Sequence, residues 1–230
     1  MSAAIIVLRP EPGASRTIAA GGAVGLEMIA MPAASVEPCS WQAPDPATYD
    51  ALLVGSANAF RHGGAPLDSL RGLPVLAVGK ATAEAARAAG FVVRQQGQGG
   101  LQGVLDALPP GSQRLLRLAG AVRVTLDPPP AVSIDTRTLY RVVTRPLDLS
   151  GLPEMPLVLL HSASAAAHFA AEVDRQHLPR RQFTLVALGP RIAAAAGKGW
   201  AAVHSAARPD DACLLALTRE LCDKRGLSKD

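Results

Sequence analysis

The chain has few of the residues that bind nucleic acids or membranes. Aromatic residues make up only 3% of its 230 positions and Lys and Arg form no runs, so base-stacking surfaces and basic patches are not expected. No apolar run reaches the roughly 18 residues that a membrane span requires. The opening MSAAIIVLRPEP lacks the basic start and long apolar stretch of a signal peptide. We therefore expect a cytoplasmic monomer without a nucleic-acid or membrane partner.

Sequence signatures of several enzyme classes are also missing. The three cysteines form no CxxC pair, which suits a reducing compartment, and the five histidines lack the spacing of metal ligands. A Walker loop, a GxGxxG turn after the first strand and a GxSxG nucleophile elbow are all absent. These absences argue against metalloenzymes, nucleotide-dependent enzymes and serine hydrolases, and we expect no metal site.

An internal repeat is the most informative feature that the sequence does contain. VLAVGKATAEAARAAGF (Val75–Phe91) and TLVALGPRIAAAAGKGW (Thr184–Trp200) both run from an apolar segment through a glycine into an alanine-rich segment that ends in Gly and an aromatic residue. YDALLVGSANAF (Tyr49–Phe60) precedes the first copy, and PLVLLHSASAAAHF (Pro156–Phe169) precedes the second. Two similar units in the same order predict two similar halves.

The apolar runs predict the fold class. Strands buried on both faces of a parallel sheet are continuously apolar, as are AIIVL, ALLVG, PVLAVG, RLLRL, PLVLLH and TLVAL. Alanine-rich helical segments lie between them. We predict an α/β protein with two doubly wound, flavodoxin-like parallel-sheet domains, whose first strand lies within Met1–Leu8. The proline-rich LDPPPAVS (Leu126–Ser133) is expected to shorten a helix there.

Two extended stretches between the halves predict how the domains are joined. Residues 34–41 and 135–148 are rich in strand-forming or proline residues and look more exposed than the core strands. We expect them to pair as a two-stranded connector. One domain then comprises residues 42–134, and the other combines residues 1–33 with 149–230.

Small polar turns at the predicted strand ends are the candidate binding site. A helix that starts at such a turn presents unpaired N–H groups and the positive end of its dipole to an anion. Ligands of doubly wound sheets bind at this edge, although the same residues also serve as plain N-caps. The net charge of +4 mildly favours an acidic ligand. The candidate residues are Ser56, Ala57, Asn58, Gly79, Lys80, Thr82, Ser162, Ala163, Ser164, Gly189, Pro190 and Arg191.

Seven stretches together resemble the uroporphyrinogen-III synthase family and cover nearly the whole chain. They are VLRPEPGASR, which contains Arg9, then YDALLVGSANAF, VLAVGKATAEAARAAGF, LLRLAGAVRVTL, LYRVVTRP, LVLLHSASAAAHF and VALGPRIAAAAGKGWAAVHSAARPDDACLLAL. The resemblance implies two α/β domains joined by a two-stranded ladder, and a cofactor-free lyase of tetrapyrrole biosynthesis. Its implied substrate is hydroxymethylbilane, a linear tetrapyrrole with eight carboxylates, which is closed with loss of water and inversion of ring D.

The resemblance also implies roles for individual residues. Thr82 and Ser162 match substrate-binding turn residues, and Tyr140 matches a tyrosine that can supply the proton for the leaving hydroxyl. Arg191 stands where the family has a turn threonine, and Ala119 stands where many members have arginine. A guanidinium at position 191 can still bind a carboxylate.

Two other functions remain open from the residues alone. A non-catalytic two-domain protein that binds polycarboxylates would need the same turns. A sugar-phosphate isomerase-like module would use them for phosphate but would also need a general base, and Glu84, the nearest carboxylate, is expected to face solvent.

Overall fold

The computed structural model describes residues 4–98, 100–224 and 226 and divides into two compact units. The first unit is Met1–Ser35 with Thr144–Asp230, and the second is Val36–Val143. The two points of division lie within the stretches that the sequence predicts as connector strands. The start of the predicted first strand (residues 1–3), Gly99 and residues 225 and 227–230 lie outside the described residues.

Along the chain, the helices and strands belong first to the first unit, then to the second unit, and then to the first unit again. The chain starts with β1 (Ile5–Val7), α1 (Gly13–Gly22) and β2 (Met28–Ala30). It continues with β3 (Ala34–Pro38), β4 (Ala51–Val54), α2 (Asn58–His62), β5 (Val75–Ala77), α3 (Lys80–Ala88), β6 (Val93–Gln96), α4 (Leu101–Asp106), β7 (Gln113–Gly120) and β8 (Val132–Thr144). It ends with β9 (Leu157–Leu160), α5 (Ala163–Arg175), β10 (Thr184–Ala187), α6 (Pro190–Ala195), β11 (Ala202–Ser205) and α7 (Asp211–Lys224). Short 3₁₀ turns occupy Pro46–Thr48, Ala65–Leu70 and Arg180–Gln182.

The first unit has a parallel sheet that is buried on both faces. Its strand order among the described residues is β11-β10-β9-β1-β2, which is the flavodoxin-like order 2-1-3-4-5 when its own strands are counted along the chain. Every residue of β1, β9 and β10 is buried. Ile6 and Leu160 pack into one core and Ile5 and Leu159 into the other, because successive strand residues point to opposite faces.

The second unit repeats this spatial arrangement with a different chain order. Its sheet is β3-β8-β7-β4-β5-β6, and the strands from β4 to β8 pair in parallel. Counted along the chain from β4, their order is 3-2-1-4-5, the other common doubly wound order. The pair β7-β8 therefore takes the place that β1-β2 has in the first sheet. The α/β fold with two parallel sheets is confirmed.

The connection between β7 and β8 has no counterpart to helix α1. Residues 121–131, all of which the structure describes, form no helix, whereas the sequence predicts a shortened one. Pro128, Pro129 and Pro130 are the physical reason, because three consecutive prolines remove backbone donors and clash with a preceding helical turn.

The glycine and aromatic residue that end each repeat have the same structural role in both units. Gly90 and Gly199 adopt φ values of +85° and +95°, which other residues rarely adopt. They turn the chain so that the next residue, an aromatic, enters the core. Phe91 packs on Phe60 with ring centroids 5.3 Å apart. Trp200 stacks on Phe169 at 5.7 Å. In each unit, the aromatic residue that ends the repeat therefore packs on the phenylalanine that ends the preceding repeated segment.

Strands β3 and β8 contain both points at which the chain passes between units. The Cys39 N–H donates to the Leu139 carbonyl at 2.8 Å, and the Arg145 N–H donates to the Ala33 carbonyl at 3.0 Å. Residue numbers rise along one strand as they fall along the other, so the pairing is antiparallel. Over the described residues, no helix is both long and apolar enough to cross a membrane.

Candidate functional site

Each unit brings two of the predicted polar turns side by side. Strands β4 and β5 are parallel neighbours, and so are β9 and β10. Parallel neighbours end at the same edge of the sheet, so the turn at Ser56 lies beside the turn at Gly79. The turn at Ser162 lies beside the turn at Gly189 for the same reason. The twelve predicted turn residues thus form one group in each unit.

The serines of both turns accept hydrogen bonds from backbone N–H groups at the starts of the helices that follow. Ser162 is the N-cap of α5, where its Oγ accepts from the Ala165 N–H at 3.2 Å and lies 3.2 Å from the Ser164 Oγ. Ser162, Ala163 and Ser164 are all exposed. In the second unit the Ser56 Oγ accepts from the Asn58 N–H at 3.2 Å. Side-chain N-capping is therefore observed at Ser162, whereas Ser56 stands one residue before Ala57, the N-cap of α2. Ligand binding by both turns stays a prediction.

The glycine turns leave open space in front of two helix starts. Gly79 and Gly189 are the N-caps of α3 and α6, with φ of −177° and −175°, an extended conformation that any residue adopts. A Cβ on Gly189 would meet nothing within 4 Å, and one on Gly79 would meet only the Gly97 carbonyl oxygen at 3.8 Å. Neither backbone strain nor packing in the described structure requires glycine here, and both sites leave room for a ligand.

The side chains that follow the glycines differ in exposure. Lys80 is exposed, and its ammonium lies 3.9 Å from the Glu84 carboxylate, which faces solvent. Pro190 and Arg191 are also exposed. Thr82, however, is only 4% exposed and offers little surface to a ligand.

Arg9 is held at the same edge of the first sheet, after strand β1. Its Nη1 donates to Asp211 Oδ2 at 2.7 Å and to Thr17 Oγ1 at 3.1 Å. The Thr17 hydroxyl donates to the same carboxylate oxygen at 3.1 Å and is fully buried. A Cβ on Gly13 would overlap the Arg9 guanidinium, so a larger residue there would have to displace Arg9 from this position. Arg9 is therefore fixed in place, with a quarter of its side chain still exposed.

A buried histidine completes this cluster. The His161 side chain is 6% exposed, its Nε2 lies 3.5 Å from Asp211 Oδ1, and neither ring nitrogen has a hydrogen-bond partner among the described residues. Contact with His161, the charge of Arg9 and the Thr17 hydroxyl together outweigh burial and lower the pKa of Asp211 to about 2. A separation of 3.5 Å is long for a hydrogen bond, so the shorter bond from Arg9 defines the carboxylate position.

Sequence reasoning missed three members of this cluster. Arg9 and Asp211 are 202 positions apart, and no spacing pattern connects them. Thr17 looks like an ordinary helix residue, and His161 was noted only as one of five scattered histidines. Strands β1 and β9 are neighbours in the sheet although the whole second unit lies between them in the sequence. The cluster can therefore be found only from the topology of the sheet.

Tyr140 occupies a β-bulge in the second unit. Ala119 of β7 pairs with Thr138, but Gly120 pairs with Tyr140, so β8 has one extra residue at this point. A Cβ on Gly120 would lie 2.7 Å from the Tyr140 ring, which requires glycine beneath it. The ring centroid is 6.3 Å from that of His62, at the end of the helix that starts in the Ser56 turn. Burial, with the charge of Arg61, lowers the pKa of His62.

The fold and these turns define the class first: a protein of two doubly wound α/β units, each with helix-starting polar turns at the carboxyl edge of its sheet. No group of three or more His, Cys, Asp or Glu side chains in the described part of the chain could hold a metal ion. A family model described as uroporphyrinogen-III synthase HemD matches residues 15–216. The chain therefore belongs to the uroporphyrinogen-III synthase family, cyclising lyases of tetrapyrrole and haem biosynthesis.

Solved structures support the fold at low sequence identity. Uroporphyrinogen-III synthetase from Helicobacter pylori is similar with a TM-score of 0.61 and 18% identity, over 94% of this chain and 99% of that one. A mutant uroporphyrinogen III synthase from Thermus thermophilus has a TM-score of 0.51 and 17% identity, over 96% and 100% of the two chains. No curated protein matches the sequence significantly.

The Asp211 cluster makes a stability prediction. Asp211→Asn removes the charge that holds Arg9 and should lower the free energy of unfolding by about 1 kcal/mol, because the partly exposed site screens the interaction. The pKa of Asp211 is lowered to about 2, so its stabilisation is complete above the ordinary carboxyl pKa and is lost as pH falls through 2. Urea unfolding of both proteins from pH 7 to pH 2 should show most of their difference in the free energy of unfolding disappear. Asp223→Asn, at the exposed far end of α7, is the control, and an equal loss in that variant would refute the cluster's role.

Proposed function

We propose that the chain converts hydroxymethylbilane into uroporphyrinogen III by closing the macrocycle, releasing water and inverting ring D. The observation that carries the proposal is the family match over residues 15–216. The net charge of +4 and the paired turns in each unit support a substrate with many carboxylates. The proposed substrate is therefore a small linear tetrapyrrole with eight carboxylates.

Substrate carboxylates bind, in this proposal, to turns of both units. The N–H groups at the starts of α3, α5 and α6 suit carboxylates because they lie at the positive ends of helix dipoles. Within the described part of the chain, Arg9 bonds to Asp211 and Thr17 through Nη1, which leaves its other N–H groups available for a carboxylate. Arg191 is exposed beside Gly189 and adds a second cation in the first unit.

Tyr140 supplies the proton that the reaction needs. The hydroxyl of the substrate leaves as water when the phenol donates to it, and a cationic azafulvenium remains. The substituted carbon of ring D then attacks the methylene carbon of this cation to form a spiro-pyrrolenine, which fragments and re-closes at the other carbon of ring D, so that ring D is inverted. The Tyr140 phenolate takes back the proton released on closure. The turns contribute by holding the side chains of ring D while this happens.

The direct test of the function is product identity. Purified protein is incubated with hydroxymethylbilane, the products are oxidised, and the type I and type III porphyrins are separated. Type III should dominate, because closure without the enzyme gives the uninverted type I isomer. A protein that only binds polycarboxylates would leave type I as the product, and that result would exclude the proposed function.

Replacing Tyr140 tests the proton donor. Tyr140→Phe should lower kcat by roughly tenfold to a thousandfold, since one general acid contributes on the order of 10²–10⁴ and positioning supplies the remainder. The only other tyrosine provides the control. Tyr49 is buried and donates to Asp135 at 2.8 Å, so Tyr49→Phe should reduce stability but keep kcat. An unchanged kcat in Tyr140→Phe would remove this residue from the mechanism.

Enlarging the glycine turns tests binding by both units. A Cβ at Gly189 meets nothing within 4 Å and one at Gly79 meets only the Gly97 carbonyl oxygen at 3.8 Å, so Gly79→Val and Gly189→Val should each fold and raise KM. The effects of the two substitutions on KM should not be additive in the double variant, because in this proposal both turns bind the same substrate. Gly72→Val is the matched control, since it also adds atoms in open space but precedes strand β5. An unchanged KM in both single variants would argue against carboxylate binding at these turns.

We also infer that the protein acts as a monomer in the cytoplasm. The free thiols of Cys39 and Cys213 suit a reducing compartment. Light scattering coupled to size-exclusion chromatography measures the oligomeric state, and a stable dimer would overturn that part of the proposal.

A further inference from the structure

Strand β7 of the second unit buries an arginine without a carboxylate partner. Arg117 is only 6% exposed. Its Nη1 donates to the Val124 carbonyl at 3.0 Å, and its Nε is buried with no hydrogen-bond partner among the described residues. Arg114, three residues earlier on the same strand, pairs instead with Asp135 at 3.0 Å. The two arginines thus differ in whether their charge is compensated.

Arg117 lies against the connection that replaces a helix in this unit. It pairs in register with Thr136 of β8, and residues 121–131 pass over this face of the sheet. A groove of about 410 Å³ opens between the strands and the connection, within the size range of small-ligand pockets. Its lining residues are Arg117, Arg123, Val124, Thr125, Leu126, Pro128, Ile134 and Thr136.

The uncompensated positive charge of the groove favours an anionic ligand. Burial, together with the nearby charge of Arg123, lowers the pKa of Arg117, and no carboxylate in the described structure offsets this. A buried cation without a partner is costly. Arg123 is exposed and donates to the Thr138 hydroxyl at 3.1 Å. Two guanidinium groups and the hydroxyls of Thr125 and Thr136 therefore line one groove that holds no opposing charge.

We propose that this groove is a carboxylate-binding site, in which Arg117 and Arg123 bind the carboxylate and Thr125 and Thr136 assist. Guanidinium groups bind carboxylates with strong, directional hydrogen bonds. The carboxylate belongs either to a side chain of the tetrapyrrole or to a free small polycarboxylate. Binding of the free form does not depend on the proposed function, because it can be measured without turnover.

Citrate is the probe that tests the site. Titration calorimetry and thermal unfolding at low ionic strength, with and without citrate, are performed on the wild type, Arg117→Met and Arg123→Gln. Citrate should raise the Tm of the wild type, and Arg117→Met should weaken citrate binding roughly tenfold or more, as loss of a charge-assisted hydrogen bond does. Arg114→Gln removes the same charge from the opposite face of the same strand and should bind citrate like the wild type.

The possible results separate clearly. Equal citrate affinity in the wild type and Arg117→Met overturns the site, and so does an equal loss in Arg114→Gln. Should Arg117→Met fail to fold, the exposed Arg123→Gln variant decides in its place, and unchanged citrate binding there overturns the site. Kinetics of Arg117→Met and Arg123→Gln with hydroxymethylbilane then identify the source of the carboxylate. A raised KM at unchanged kcat assigns it to the substrate. An unchanged KM together with lost citrate binding assigns it to a free polycarboxylate.

Discussion

Strands buried on both faces place the predicted binding turns of each unit at the carboxyl ends of its strands. Residues along β4, β9 and β10 are all buried, so a side chain there cannot meet a ligand without breaking a core. At the carboxyl ends the backbone leaves the sheet and starts a helix, whose first N–H groups have no partner within that helix. Arg9, Ser162 and the Gly189 turn lie together because three parallel neighbours end at the same edge.

The same edge is built twice with different chain orders. In the first unit the pair β1-β2 comes before the Ser and Gly turns in the chain, whereas in the second unit β7-β8 comes after them. The main difference between the two units is the connection at the position of helix α1. The connection of residues 121–131 leaves Arg117 beneath a loop, while the first unit covers the equivalent face with a helix that carries Thr17 into the Arg9 cluster. One architecture thus yields two different polar environments.

Local patterns were enough to predict the central strands, the repeat and the fold class, because continuous apolar runs report burial on both faces. They did not predict the partly buried edge strands β2, β6 and β11. They were not enough where two distant segments meet. The pairing of Arg9 with Asp211 depends on topology, and the position of Tyr140 depends on a bulge that has no marker in LYRVVT. Thr82 follows the glycine turn and is buried on helix α3, which no local pattern indicates, and its role in substrate binding stays a prediction. The helix expected near Leu126–Ser133 does not form, because the consecutive prolines exclude it altogether.

The hydrogen bond between Cys39 and Leu139 has a consequence for how the chain folds. The first unit is assembled from two segments separated by the whole of Val36–Val143. Joining them across an unfolded intervening chain means closing a long loop, with an entropy cost that grows with its length. Once the second unit has folded, its two ends are held beside each other on β3 and β8, and the effective loop becomes short. Folding of the second unit therefore lowers the entropy cost of folding the first.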